Sequence, residues 1–224
     1  MKKLLISLGL CLCLALPCAA ADGGCIALTF DDGPTGKYTK KMLDILEEKG
    51  VCATFFLCGY RVEQYPELTE RIAADGHEIG LHGCSHHYFT QMREEELNRE
   101  LTCECYEIAE ISGQAPALLR PPGGLTAKEL PEDSLCRQFP IILWSVDPLD
   151  WATHDSAAVV RRVTKNVRAG DIILMHDSSD SSAEAAGQII DALQKRGFTF
   201  LTVSQLAQQY GTTLEGGRSY SRFS

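Results

Sequence analysis

The sequence predicts an α/β fold in which a parallel sheet is covered by helices. Three observations carry that expectation. Apolar, β-branched runs alternate with amphipathic helical patterns about seven times along the chain, as strands joined by helical crossovers do. The polar residues that interrupt these runs fall at their C-terminal ends, where strand-to-helix loops converge in such folds. No internal repeat, low-complexity tract or Pro/Ser-rich linker divides the 224 residues, so a single core is expected.

Residues 1–21 read as a secretory signal, with Lys2 and Lys3, an apolar stretch from Leu4 to Leu16 and small residues around Ala19 to Ala21. The stretch is short for a membrane span, so a cleaved signal is expected rather than a retained anchor, and with it a secreted or cell-surface protein. "CIALTF" is the first strand, and the helix "YTKKMLDILEEKG" follows, with Met42, Leu43, Ile45 and Leu46 as its stripe and Gly50 as its stop. "VCATFFLCG" is the second strand, "YPELTERIAADG" the second helix and "HEIGLH" the third strand. The charged helix "REEELNRELTCECYEIAEIS" then runs to Gly113. "ALLRPPGG", "FPIILWSVD" and "DIILMHD" supply the next three strands, with a helix from about Ser156 to Val167 before the last of them. A helix from about Ala183 to Lys195, the strand "FTFLTV" and a short helix capped by Ser204 complete the pattern. The domain is therefore placed at residues 22–210, and residues 211–224 are expected to be a loose polar tail. The alternation fits an open sheet and a closed barrel equally.

The chain carries 21 Lys and Arg against 30 Asp and Glu, a formal net charge of −9, and losing Lys2 and Lys3 makes it more acidic. Nucleic acid is not an expected partner. Cys11, Cys13 and Cys18 fall in the signal; Cys25, Cys52, Cys58, Cys84, Cys103, Cys105 and Cys136 remain, an odd set that cannot pair completely within one chain. Cys103 and Cys105, two apart on a helix, point away from one another. The cysteines are expected to act as small buried hydrophobes.

Asp31 and Asp32 end the first strand, His82 the third, Arg120 the fourth and His176 with Asp177 the sixth, while Asp147 and Asp150 follow the fifth. His82 and His86 form an H-x-x-x-H pair, and that spacing on one helical turn brings two imidazoles to a common point. Two histidines and an aspartate would leave a coordination position open, the arrangement of a catalytic metal site. One aspartate of the pair can bind the metal while its neighbour takes a proton from the attacking water. Arg120 can orient that base through a charge-assisted hydrogen bond. His176 can protonate a leaving group, with Asp150 favouring its charged form. The structural alternatives are a backbone-satisfied strand-end histidine and a buried Arg120–Asp150 pair. A non-haem iron oxygenase also uses two histidines and a carboxylate, but on many short strands rather than alternating strands and helices.

Five motifs in order, "TFDDGP", "HGCSH", "RPPGG", "DPLDW" and "LMH", resemble those of the polysaccharide deacetylases of carbohydrate esterase family four, which share the NodB homology domain. The resemblance implies a distorted (β/α) barrel of about seven parallel strands and a divalent metal ion, with zinc the expected one. It assigns Asp31 as catalytic base, Asp32, His82 and His86 as metal ligands, His176 as general acid tuned by Asp150, and Arg120 as the residue orienting the base. Trp151 and Leu174 match the walls of the acetyl-methyl pocket. Two positions depart from the commoner pattern. Gly83 stands where the family often has Ser or Thr, so a loop hydrogen bond is lost or moved to Ser85. Gly123 stands where Tyr is common; it keeps the backbone N–H that serves the oxyanion, and the missing ring implies a wider groove that admits a lactyl ether or peptide stem. The expected activity is metal-dependent hydrolysis of N-acetyl groups on a polysaccharide, peptidoglycan first. O-acetyl esterase action on xylan-type glycans, chitin-oligosaccharide deacetylation and a sugar-binding module without turnover are the alternatives; the module would fit loss of Asp31 or His176, and both are present. The expected partner is the polysaccharide, and the expected state a monomer.

Overall fold

The computed structural model describes residues 23–224, so the signal read over residues 1–21 lies outside the described residues. In chain order the elements are β1 (Gly24–Gly33), α1 (Lys37–Lys49), β2 (Thr54–Leu57), α2 (Gly59–Gln64), α3 (Pro66–Ala74), β3 (Glu78–Leu81), α4 (Glu94–Ser112), β4 (Ile141–Ile142), α5 (Ser156–Asn166), β5 (Ile172–His176), α6 (Asp180–Lys195), β6 (Phe198–Leu201), α7 (Val203–Gln209) and β7 (Ser219–Tyr220).

β1 is the centre of the molecule. It pairs in parallel with β2, β5 and β6, and all but two of its residues are buried, which is why "CIALTF" shows no alternation. β3 extends the sheet beyond β2. Single parallel bridges, Leu81 to Leu119, Leu119 to Ile141 and Val146 to Ile173, then carry the ladder from β3 past β4 and back to β5. The circuit closes as the expected distorted barrel. The expected fourth strand shrinks to the bridges of Leu119, because Pro121 and Pro122 follow at once and have no N–H to give a ladder.

The helices cover this barrel with the faces their spacing dictates. α1 buries Thr39, Met42, Leu43 and Leu46 and ends at Gly50 in the left-handed conformation, φ 64°. α4 buries Leu97, Leu101, Glu104 and Ile108, an apolar stripe with one acid inside it. α6 begins at Asp180 rather than near Ala183, because the Ser179 hydroxyl caps it by accepting from Ser182 N–H. α7 is capped by Thr202, not Ser204: the Thr202 side chain accepts from Gln205 N–H, and Gln205 reaches back. Cys58 and Cys136 are buried in the expected way, whereas Cys103 is exposed and Cys105 half-buried on α4.

The tail also differs from expectation. β7 pairs in parallel with β4, and Phe223 is buried at 3% exposure, packing with Tyr220 and Leu214 on the cluster around Ile142 and Ile172. Phe223 N–H donates to Gly170 O at 2.8 Å, and a Cβ on Gly170 would meet Phe223 O at 1.8 Å. Residues 211–224 therefore belong to the domain; their polar composition masked three apolar anchors.

Candidate active site

Successive residues of a strand face opposite ways, so Asp31 and Asp32 would be expected on opposite sides of β1. The register of β1 on β2 shifts between Asp31 and Gly33, and Asp32 is the extra residue, with φ 72°. This bulge turns the second carboxylate back toward the first. Gly33 follows for a steric reason: a Cβ there would lie 2.6 Å from Asp177 Oδ2. Asp177 is fully buried, and the hydroxyls of Thr35 and Thr39 bond to it, tying the loop after β1 to the end of β5.

Asp32 Oδ1 lies 3.2 Å from His82 Nε2 and 3.0 Å from His86 Nε2. His82 Nδ1–H donates to the Arg120 carbonyl at 2.6 Å, which leaves the Nε2 lone pair aimed at the site. One oxygen and two imidazole nitrogens on a half-open face fit a divalent cation. Burial opposes the charge of Asp32, but the hydrogen bonds and charges of the two histidines hold its carboxyl well below the usual range. The histidines do not share a helical turn, as their spacing suggested. Both lie in the loop after β3, with positive φ at Gly83 (88°) and His86 (59°), and their ring centroids are 5.1 Å apart.

The acid in the α4 stripe explains how that loop is held. Glu104 accepts from His82 N–H at 2.9 Å and Gly83 N–H at 3.0 Å, and burial pushes its carboxyl well above the usual range. Glu100 accepts from Ser85 N–H and Ser85 Oγ, so the contact expected to move to Ser85 is present. The sequence reading missed Glu104, although a glutamate at an apolar position of a helix was the visible signal.

Arg120 is fully buried. Its Nη1 donates to Asp31 Oδ1 at 2.6 Å and Thr29 Oγ1 at 2.8 Å, its Nε to Ile142 O and its Nη2 to Leu143 O. The guanidinium carbon lies 4.1 Å from the centre of the Phe56 ring. Asp31 Oδ2 is left facing the histidines, 3.9 Å from His82 Nε2. The expected Arg120–Asp150 alternative does not form. Asp150 instead accepts from His176 Nδ1 and His176 N–H, both at 2.9 Å, and from Ser182 Oγ. Burial would lower the His176 pKa, but the bond and charge of Asp150, with Asp31 and Asp32 across the site, outweigh it and raise the imidazole to about 9. His176 and Asp31 are direct partners in the β1–β5 register.

One cleft of about 390 Å³ is lined by Asp32, His82, His86, Asp31 and His176, with Leu174, Trp151 and Gly123 on its walls. Leu174 is buried and Trp151 exposed. The groove is not widened at Gly123 as expected. The Tyr88 ring occupies that space: a Cβ on Gly123 would come 2.4 Å from Tyr88 Cε1, and Gly123 itself has φ 76°. Tyr88 and Trp144, which also line the cleft, carried no motif in the sequence reading.

Residues 19–135 match the model of the family described as polysaccharide deacetylase. A peptidoglycan-N-acetylglucosamine deacetylase of Bacillus cereus is 37% identical, aligned over 81% of this chain and 87% of its own. The peptidoglycan-N-acetylmuramic acid deacetylase PdaC of Bacillus subtilis is 39% identical over 82% of this chain, which spans 38% of that longer protein. Among solved structures, a family 4 acetyl xylan esterase of Clostridium thermocellum in complex with a cobalt ion superposes with a TM-score of 0.79 at 28% identity, covering 88% of this chain and 98% of its own. Motifs, barrel and alignments agree: the chain belongs to the polysaccharide deacetylases of carbohydrate esterase family four.

Proposed function

We propose that this enzyme removes acetyl from the N-acetylated amino sugars of peptidoglycan, and that zinc is the ion it uses. The observation that carries the reading is one cleft in which the Asp32, His82 and His86 donors face two separate acid/base pairs, Asp31 with Arg120 and His176 with Asp150. Asp32, His82 and His86 would hold a divalent ion, which would supply Lewis-acid polarisation of the acetyl carbonyl and lower the pKa of the attacking water. Asp31 is placed to take the proton of the attacking water on Oδ2, because Oδ1 is engaged by Arg120. The Gly123 N–H is the candidate donor to the oxyanion. His176 Nδ1 is held by Asp150, so Nε2–H delivers a proton to the sugar nitrogen as the C–N bond breaks, leaving acetate and a free amine. Leu174 and Trp151 wall the space for the acetyl methyl. The pattern of residues 1–21 supports export, where the wall is accessible.

Purified protein incubated with cell-wall glycan, followed by digestion and mass spectrometry of the fragments, tests this. Loss of acetyl from glucosamine or muramic acid residues is expected, and Asp31→Asn is expected to abolish it. Acetate release confined to acetylated xylan or chitin oligomers would overturn the peptidoglycan assignment.

A further inference from the structure

The loop that carries both histidines holds a thiol between them. Tyr60 N–H at the start of α2 bonds to the Cys84 carbonyl at 2.9 Å, and the Cys84 Sγ lies 2.7 Å from where a Gly59 Cβ would stand. Cys84 thus reaches toward α4, where Cys103 and Glu107 lie one turn apart. The sulfurs of Cys84 and Cys103 and a carboxylate oxygen of Glu107 all fall within 4.8 Å of one another. Cys103 Sγ–H donates to Glu107 Oε1 at 3.0 Å, while Glu107 Oε2 is buried with no hydrogen-bond partner among the described residues.

We propose that Cys84, Cys103 and Glu107 form a second metal site, specific for a thiophilic ion such as Zn²⁺ or Cd²⁺, that fastens the histidine loop to α4. Two sulfurs and one oxygen are a soft donor set that selects against Mg²⁺ and Ca²⁺. The orphaned Oε2 belongs to a carboxylate that makes no ion pair among the described residues. Zn–S bonds of about 2.3 Å suit ligand atoms that already lie within 4.8 Å of one another, and Cys103 is exposed on its helix. Binding exchanges both thiol protons for the ion, M²⁺ + 2 RSH giving M(SR)₂ + 2 H⁺, so affinity rises with pH. The site is separate from the Asp32, His82 and His86 trio, which contains no sulfur.

That difference supplies the test. The reduced full-length protein is titrated with Co²⁺ while thiolate-to-cobalt charge-transfer absorption in the near ultraviolet is followed, a signal the Asp/His/His site cannot give. The expected result is two equivalents of cobalt per chain with a thiolate band. Cys103→Ser is expected to remove the band and one equivalent, with acetate release retained at one equivalent. Glu107→Gln is expected to weaken binding at least tenfold with the band preserved at saturation. A single equivalent without the band would overturn the proposal. So would peptide mapping that finds Cys84 and Cys103 joined as a disulfide in protein isolated without reductant, because the pair would then be a cross-link.

Discussion

Replacing Gly123 by alanine adds one methyl carbon 2.4 Å from Tyr88 Cε1. Non-bonded carbons rest at about 3.5–4.0 Å, so the ring must retreat by about 1 Å or more. Tyr88 is 52% exposed and can swing outward, which removes the wall it gives the cleft. The substitution also places a side chain at φ 76°, a backbone cost of about 1–2 kcal/mol. An aromatic face against a sugar is worth on the order of 0.5–1.5 kcal/mol, and 1.4 kcal/mol is about tenfold in affinity. Gly123→Ala is therefore expected to raise KM roughly threefold to tenfold with kcat nearly unchanged, the sign of lost uniform binding. Tyr88→Ala should do the same, and the double variant should raise KM no further, a coupling of about 1 kcal/mol. Acetate-release kinetics on wall glycan and on a chitin oligomer, with urea unfolding to separate the backbone cost, measure all three variants. Additive losses, or a fall in kcat with KM unchanged, would show that Gly123 acts through its own backbone rather than through Tyr88.

Chelation is expected to stop acetate release and zinc or cobalt to restore it; Asp32→Ala should bind no ion at the trio, whereas Asp31→Asn should retain it and lose about 10²-fold or more in kcat, as elemental analysis and kinetics would reveal. Because His176 must be protonated to act and its pKa is raised to about 9, activity should persist through neutral pH and fall as pH rises through the His176 pKa. Asp150→Asn removes the charge that favours the imidazolium, so the alkaline limb of the kcat profile should move down by about one unit or more; an unmoved limb would remove His176 as the acid. Glu104→Ala strands the buried Gly83 N–H, at a cost of about 1–3 kcal/mol, whereas the His82 N–H keeps its second acceptor, Leu57 O at 2.9 Å; urea unfolding should register that loss, and one well below about 1 kcal/mol would exclude the role. Phe223→Ala should cost about 3–5 kcal/mol, whereas a loose tail would lose nothing.

Most of the site was legible because its chemistry is local in sequence: each functional residue ends a strand or sits within a few residues of one, and the alternation of elements orders those ends on a single rim. What escaped depended on three-dimensional neighbours. The turn of Asp32 is a register shift against β2, which one strand's sequence does not reveal. Tyr88 and Gly123 are 35 positions apart and meet only when two loops fold over the same cleft. The four-residue spacing of the histidines suggested a helical turn, but Gly83 and the loop's bonds to α4 won over that local geometry. The tail read as loose because composition averages over residues, while packing is decided by Leu214, Tyr220 and Phe223 individually.

The centrality of β1 bears on when this protein can fold. β1 pairs with its successor β2 but also with β5 and β6, far later in the chain, and the Thr29 hydroxyl bonds to Ile173 O across 144 positions. Contacts so distant along the chain form slowly, and the packing of Phe223 against Gly170 must wait longer still. A chain cut short after α4 would carry Asp32, His82 and His86 and lack β5 and β6, the late strands that pair with β1, making it a substrate for proteases rather than a partial enzyme.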